Sequence, residues 1–176
     1  FGSGALGDNT TGAFNTAIGA TALNYNTKGS NNIAVGSAAL FNNKEGNYNI
    51  ATGNNALHNN TDGSNNIAMG TNALYANTTG IQNVAIGANS ISVNTTGNYN
   101  VATGTEALQS NTGSWNVANG HQALKANTTG NSNIAIGANS LGSNVGGSNN
   151  VAMGSSALQA NKTGIQNIAI GEIALS

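Results

Sequence analysis

Glycine recurs along this chain with a period of 17. The glycines that close each A-x-G triplet are Gly19, Gly36, Gly53, Gly70, Gly87, Gly104, Gly120, Gly137, Gly154 and Gly171. Every interval is 17 residues except the one from Gly104 to Gly120, which is 16. Aligned on these glycines, the unit reads N-[IVT]-A-x-G-x-x-[AS]-[LI]-x-x-N-x-x-G-x-x. Ala fills its column in all ten units, from Ala17 to Ala169, and the Leu column (Leu23, Leu40, Leu57, Leu74, Leu108) is broken only by Ile91. One Asn column runs from Asn15 to Asn167 and a second from Asn26 to Asn161, while residues 2–12 fit as a partial unit. A period this regular marks a repeat architecture in which each unit buries its face only by stacking on the next.

The period also selects the unit. Seventeen residues are too few for a helical pair, which needs about 34. The N-[IV]-A-[IVM] segments alternate like strands, and Gly and Asn punctuate both ends like turns. The one deletion falls where other units read NTTG and this one reads Asn111-Thr112-Gly113. Deletions collect in surface loops, so N-x-x-G is the turn and N-[IV]-A-x-G the invariant element. The expected fold is all-β: a parallel β-solenoid of about ten 17-residue coils, one repeat domain over 1–176. FGSGALG begins inside the pattern, so the chain reads as a segment of a longer fibre protein. Stacking in register places Asn on Asn, and buried amide ladders can satisfy themselves and the turn backbone.

The octets NVAIGANS (83–90) and NIAIGANS (133–140) carry apolar groups on both faces of the strand. One face carries Ala, which suits a narrow coil interior. The other carries Ile33, Val35, Ile67, Val84, Ile86, Ile134, Ile136, Ile168 and Ile170. Left bare, that stripe exceeds what a soluble monomer shows. Burying each Ile or Val is worth about 1.5–3 kcal/mol, so the expectation is a homo-oligomer of chains lying side by side through these residues.

Charge narrows the partners. Only 5% of residues are charged, the net charge is −1, and the four cationic side chains are all Lys. Phosphate recognition needs clustered Lys or Arg, so nucleic acid is not an expected partner. No run of about 18 apolar residues is present to span a membrane. The absence of Cys is compatible with an extracellular protein that needs no disulfide.

NVAIGANS, NIAIGANS and NIAVGSAAL resemble the head repeats of trimeric autotransporter adhesins of the YadA type, and related repeats of phage tail fibres. The resemblance runs through all ten units and is carried by the strand; the connecting segment A-L-x-x-N-x-x-G is about three residues longer than in the adhesin repeat. It implies a left-handed β-roll, a homotrimer, and a location at a cell or virion surface.

Nothing in the chain assembles catalytic chemistry. His58 and His121 occupy different positions in their units, no metal pair or nucleophile motif is present, and GSGALG at 2–7 is a weak phosphate-loop match. The expectation is a non-enzyme without cofactor or metal. Lys28, Glu45 and Asp62 share one turn column, read as a solvated charge ladder rather than a cation site. Asn9, Asn59, Asn77, Asn94, Asn127 and Asn161 sit in N-x-[ST] sequons, read as turn chemistry before glycosylation. The column two residues ahead of the strand holds Phe14, Tyr48, Tyr99 and Trp115 among Asn and Gln. Aromatics among amides grip sugar rings, which makes Tyr48, Tyr99 and Trp115 candidate glycan contacts. Packing over the coil edge or a neighbouring subunit is the simpler role. Tyr25, Phe41 and Tyr75 read as scattered in the loop, without a column.

The function expected is a structural and adhesive segment of a trimeric surface fibre, displaying loops to a host glycan or matrix protein. The alternatives are a pure spacer and an ice-binding solenoid, the latter from Thr78/Thr79, Thr95/Thr96 and Thr128/Thr129.

Overall fold

A computed structural model of the chain describes residues 2–176. It contains ten three-residue strands: β1 (Thr16–Ile18), β2 (Ile33–Val35), β3 (Ile50–Thr52), β4 (Ile67–Met69), β5 (Val84–Ile86), β6 (Val101–Thr103), β7 (Val117–Asn119), β8 (Ile134–Ile136), β9 (Val151–Met153) and β10 (Ile168–Ile170). They form one parallel sheet in chain order. Register is strict, Ala on Ala throughout, as in Ala68↔Ala85↔Ala102. The fold is a parallel β-solenoid with nine complete turns between β1 and β10. At about 4.8 Å per strand these turns span about 43 Å. No helix occurs among the described residues, so none spans a membrane.

A coil this short must turn sharply without proline. Three columns of non-glycine residues adopt left-handed backbone: the Leu column (Leu74 φ 51°, Ile91 φ 47°), the position two residues after the first glycine (Asn72, Asn89, both φ 55°), and the position before the opening Asn (Tyr99 φ 59°, Gln82 φ 55°). Each such residue costs about 1–2 kcal/mol. The Leu column offsets that cost because its side chains from Leu23 to Leu141 are fully buried, a gain of about 1.5–3 kcal/mol each. The A-x-G glycine makes the fourth corner. Gly87 has φ 129°, and a Cβ there would lie 2.6 Å from the carbonyl carbon and oxygen of Gly104 in the next coil. Glycine is required by both conformation and space.

The core is a thin lamina. Ala34, Ala51, Ala68, Ala85 and their successors fill it from the strand side, and the Ala-Leu pairs such as Ala73 and Leu74 from the turn side. Ser90 and Ser140 replace Ala in two coils and satisfy their hydroxyls on the carbonyls of Gly87 and Ala152. The strand face with Ala points inward and the Ile/Val face outward, the orientation favoured from the invariance of Ala.

Two buried Asn ladders hold the turns. In the first, the Asn66 side-chain Oδ1 accepts from both the backbone N–H (3.0 Å) and Nδ2 (3.2 Å) of Asn83, whose Nδ2 also reaches the carbonyl of Gly97 at 2.9 Å. In the second, Asn77 Nδ2 donates to Asn60 Oδ1 at 2.8 Å and to the carbonyl of Gly80 at 3.0 Å. Buried amides are costly unless paired, and these ladders pair them coil after coil.

Candidate functional site

Three features face outward: the strand face, the aromatics ahead of the strands, and a ring stack on the turn side. On the strand face, Ile33, Ile86, Ile134, Ile136, Ile168 and Ile170 are exposed, while Val35, Ile67 and Val84 are half-buried by their neighbours. Ile86 is 41% exposed in mid-rod, where no chain end accounts for it. The stripe follows the sheet for its whole length, interrupted at Thr16, Thr52, Thr103 and Asn119. An exposed apolar stripe of that length is the surface on this rod most like those that take part in association.

The second feature divides the candidate glycan residues. Tyr99 and Trp115 stack at 5.4 Å between centroids with planes 10° apart. Tyr48 lies three coils earlier, 61% exposed, and joins neither. All three have left-handed backbone (φ 57° to 59°), a conformation that Asn, found at the same position in Asn31, Asn65 and Asn149, tolerates better. Strain carried by exposed aromatics where amides would fit points to a surface role for them.

The third feature corrects the sequence reading. Phe41, His58 and Tyr75 do share a column, each directly following the Leu, and Tyr25 joins from one position further on. Tyr25 meets Phe41 edge-on at 4.8 Å; Phe41 stacks on His58 at 5.0 Å and His58 on Tyr75 at 5.2 Å. The 17-residue spacing of 41, 58 and 75 carries this signal once the imidazole of His58 is read as a ring among rings.

The other candidates resolve by geometry. Lys28 Nζ and Glu45 Oε1 pair at 2.7 Å in solvent. Glu45 is held below the usual glutamate range by that hydrogen bond, and Lys28 is raised by it. Among the described residues the Asp62 carboxylate accepts only from the Thr61 hydroxyl, at 3.5 Å. No three His, Asp or Glu side chains converge among the described residues. Asn77, Asn94 and Asn127 of the sequons are fully buried, so they are structural amides and closed to modification in the folded coil. The Thr ranks are split: Thr78 and Thr128 donate their hydroxyls to the carbonyls of Thr95 and Val145 in the next coil. A groove at the first coil, lined by Gly2, Leu6, Asn15 and Ile18, is the uncovered end of the stack.

No protein-family model, curated protein or solved structure matches the chain.

Proposed function

We infer that this chain is a structural and adhesive segment of a surface fibre. Its copies associate side by side, as a homotrimer of left-handed β-rolls, through the outer strand face. The observation that carries this reading is the apolar stripe along β1–β10, with Ile33, Ile86, Ile134 and Ile136 all outward on one sheet face. Trimer and hand rest on the resemblance of N-[IV]-A-[IV]-G to adhesin-head and tail-fibre repeats. In this reading the fibre stands outside a cell or virion and has no catalytic role. The turns and the exposed rings of Tyr48, Tyr99 and Trp115 meet a host glycan or matrix protein.

Sedimentation equilibrium tests it: a trimer mass is expected, and a stable monomer at micromolar concentration removes the reading. A trimer without binding to glycans or matrix proteins leaves the spacer reading, in which the segment only sets distance.

A further inference from the structure

The ring stack ends abruptly, and a groove begins where it ends. Tyr25, Phe41, His58 and Tyr75 form successive rungs at 4.8 to 5.2 Å. The next residue in the column is Ser92, too small to continue, so Tyr75 has a ring partner on one face only. Beyond its other face lies an open groove of about 410 Å³ lined by Asn55, Asn72, Tyr75, Asn89, Ser92 and Val93, with Ala76 between. Asn55 Nδ2 donates to Asn72 Oδ1 at 3.4 Å and Asn72 Nδ2 to Asn89 Oδ1 at 3.2 Å. This outer ladder leaves Asn89 Nδ2 and Asn55 Oδ1 without a protein partner among the described residues. No lining residue is charged.

We propose that this groove binds a neutral pyranose of a glycan chain, the sugar occupying the place of a fifth ring above Tyr75. The chemistry is complementary on each side. The apolar face of a pyranose covers an aromatic ring, and its hydroxyls need donors and acceptors at the rim. Here the ring is Tyr75, the donors and acceptors are Asn89, Asn55 and the Ser92 hydroxyl, and the Val93 side chain adds apolar contact. The amides of Asn55, Asn72 and Asn89 follow one another at about 4.8 Å along the rod, so a linear glycan lying along the axis meets an amide at each of these three coils. Without a cation to face a carboxylate, the groove favours neutral over sialylated sugars. This site is separate from Tyr48, Tyr99 and Trp115, and it deepens the adhesive part of the reading above without depending on the trimer.

The test uses the whole chain on an array of neutral oligosaccharides of glucose, galactose, mannose and N-acetylglucosamine, with sialylated counterparts. Wild type is expected to retain at least one neutral glycan. Tyr75→Ala should weaken retention at least about tenfold, and Tyr75→Phe should preserve it. Ser92→Phe continues the ring stack into the groove and should abolish binding with the circular dichroism spectrum unchanged. The proposal is overturned if no neutral glycan is retained, if only sialylated ones are, or if Ser92→Phe binds as wild type does. Sedimentation of the same samples separates the two readings: an assembled protein without sugar binding removes the groove alone, and a sugar-binding monomer removes the fibre alone.

Discussion

Asn111 Nδ2 does not reach Asn94 Oδ1. From Asn26 to Asn94, and again from Asn127 to Asn161, each amide of the turn ladder donates to the Oδ1 of the preceding rung, as in Asn94 to Asn77 at 3.0 Å and Asn127 to Asn111 at 2.7 Å. At the deleted turn, Asn111 Nδ2 turns to the carbonyl of Gly113, two residues on, at 2.9 Å. Asn94 Oδ1 is left buried without a partner, alone in this respect among the described residues.

An unpaired buried acceptor costs about 1–3 kcal/mol. Inserting Thr between Thr112 and Gly113 restores NTTG and the missing rung, and is expected to stabilise the fold by about 1 kcal/mol or more. Deleting Thr79 should introduce a second break and destabilise comparably. Urea unfolding at fixed protein concentration checks both, since assembly couples to apparent stability. An insertion variant less stable than wild type would mean that the shorter turn relieves more strain than the broken rung adds.

Ile91 is the one β-branched residue in the left-handed, fully buried Leu column, at φ 47°. A β-branched side chain fits that region poorly, and Leu has the same volume. The coil of Ser140 already seats Leu141, so Ser90 is no obstacle. Ile91→Leu is expected to raise the melting temperature by a few degrees, about 1 kcal/mol. A drop would show that Ile91 fills space Leu cannot.

The architecture was legible because its signal is chemical repetition. The invariance of Ala85 and its column favoured the inside without deciding between the two strand faces, and Asn83 and Asn94 could be recognised as ladder members from their spacing. The three left-handed columns were not legible, because Leu74, Asn72 and Tyr99 advertise no backbone preference as a conserved glycine does. Of the ring stack, the 17-residue spacing of Phe41, His58 and Tyr75 is legible and the Tyr25 end is not. Tyr25 is offset by one position from the column of Phe41, yet their rings meet edge-on at 4.8 Å. The strand-face residues were legible as apolar, and Ile86 and Ile136 stand exposed in the single chain.

Association through the strand face predicts unequal effects of the same charge. Ile86→Asp places a carboxylate in the middle of the stripe, where burial against a neighbour would desolvate it. Thr79→Asp places it in an exposed turn. The first should shift the sedimentation profile toward monomer, and the second should leave the mass unchanged. Equal behaviour of the two variants would remove the strand face from the interface.

Acid sensitivity should be slight and traceable. Glu106 Oε2 accepts from Lys125 Nζ at 2.7 Å and Gln122 Nε2 at 2.8 Å, and those two hydrogen bonds, Lys125 first, hold it below the ordinary glutamate value of 4.5. A lowered carboxylate pKa adds stability above the ordinary value, and that contribution is lost as pH falls through the lowered one. The raised Lys28 works in the opposite sense: its contribution is present below the ordinary lysine range and lost only as pH rises through the raised value. Melting temperatures below pH about 4.5 should therefore fall less steeply for Glu106→Gln than for wild type. Parallel acid limbs would show that the Glu106 contacts add nothing in solution.

The aromatics ahead of the strands make the sharpest distinction between strain and packing. Replacing Tyr48 by Asn, the residue at Asn31 and Asn65 on either side, removes about 1–2 kcal/mol of left-handed strain. It sacrifices no ring contact, because Tyr48 has none and is exposed. Trp115→Asn relieves the same strain but breaks the stack on Tyr99, a loss of about 0.5–1.5 kcal/mol. Tyr48→Asn is thus expected to stabilise the fold by about 1 kcal/mol, with Trp115→Asn close to neutral, in matched urea titrations. If Tyr48→Asn instead destabilises the assembled protein, Tyr48 packs against a neighbouring chain, and its candidacy as a glycan contact passes to Tyr99 and Trp115.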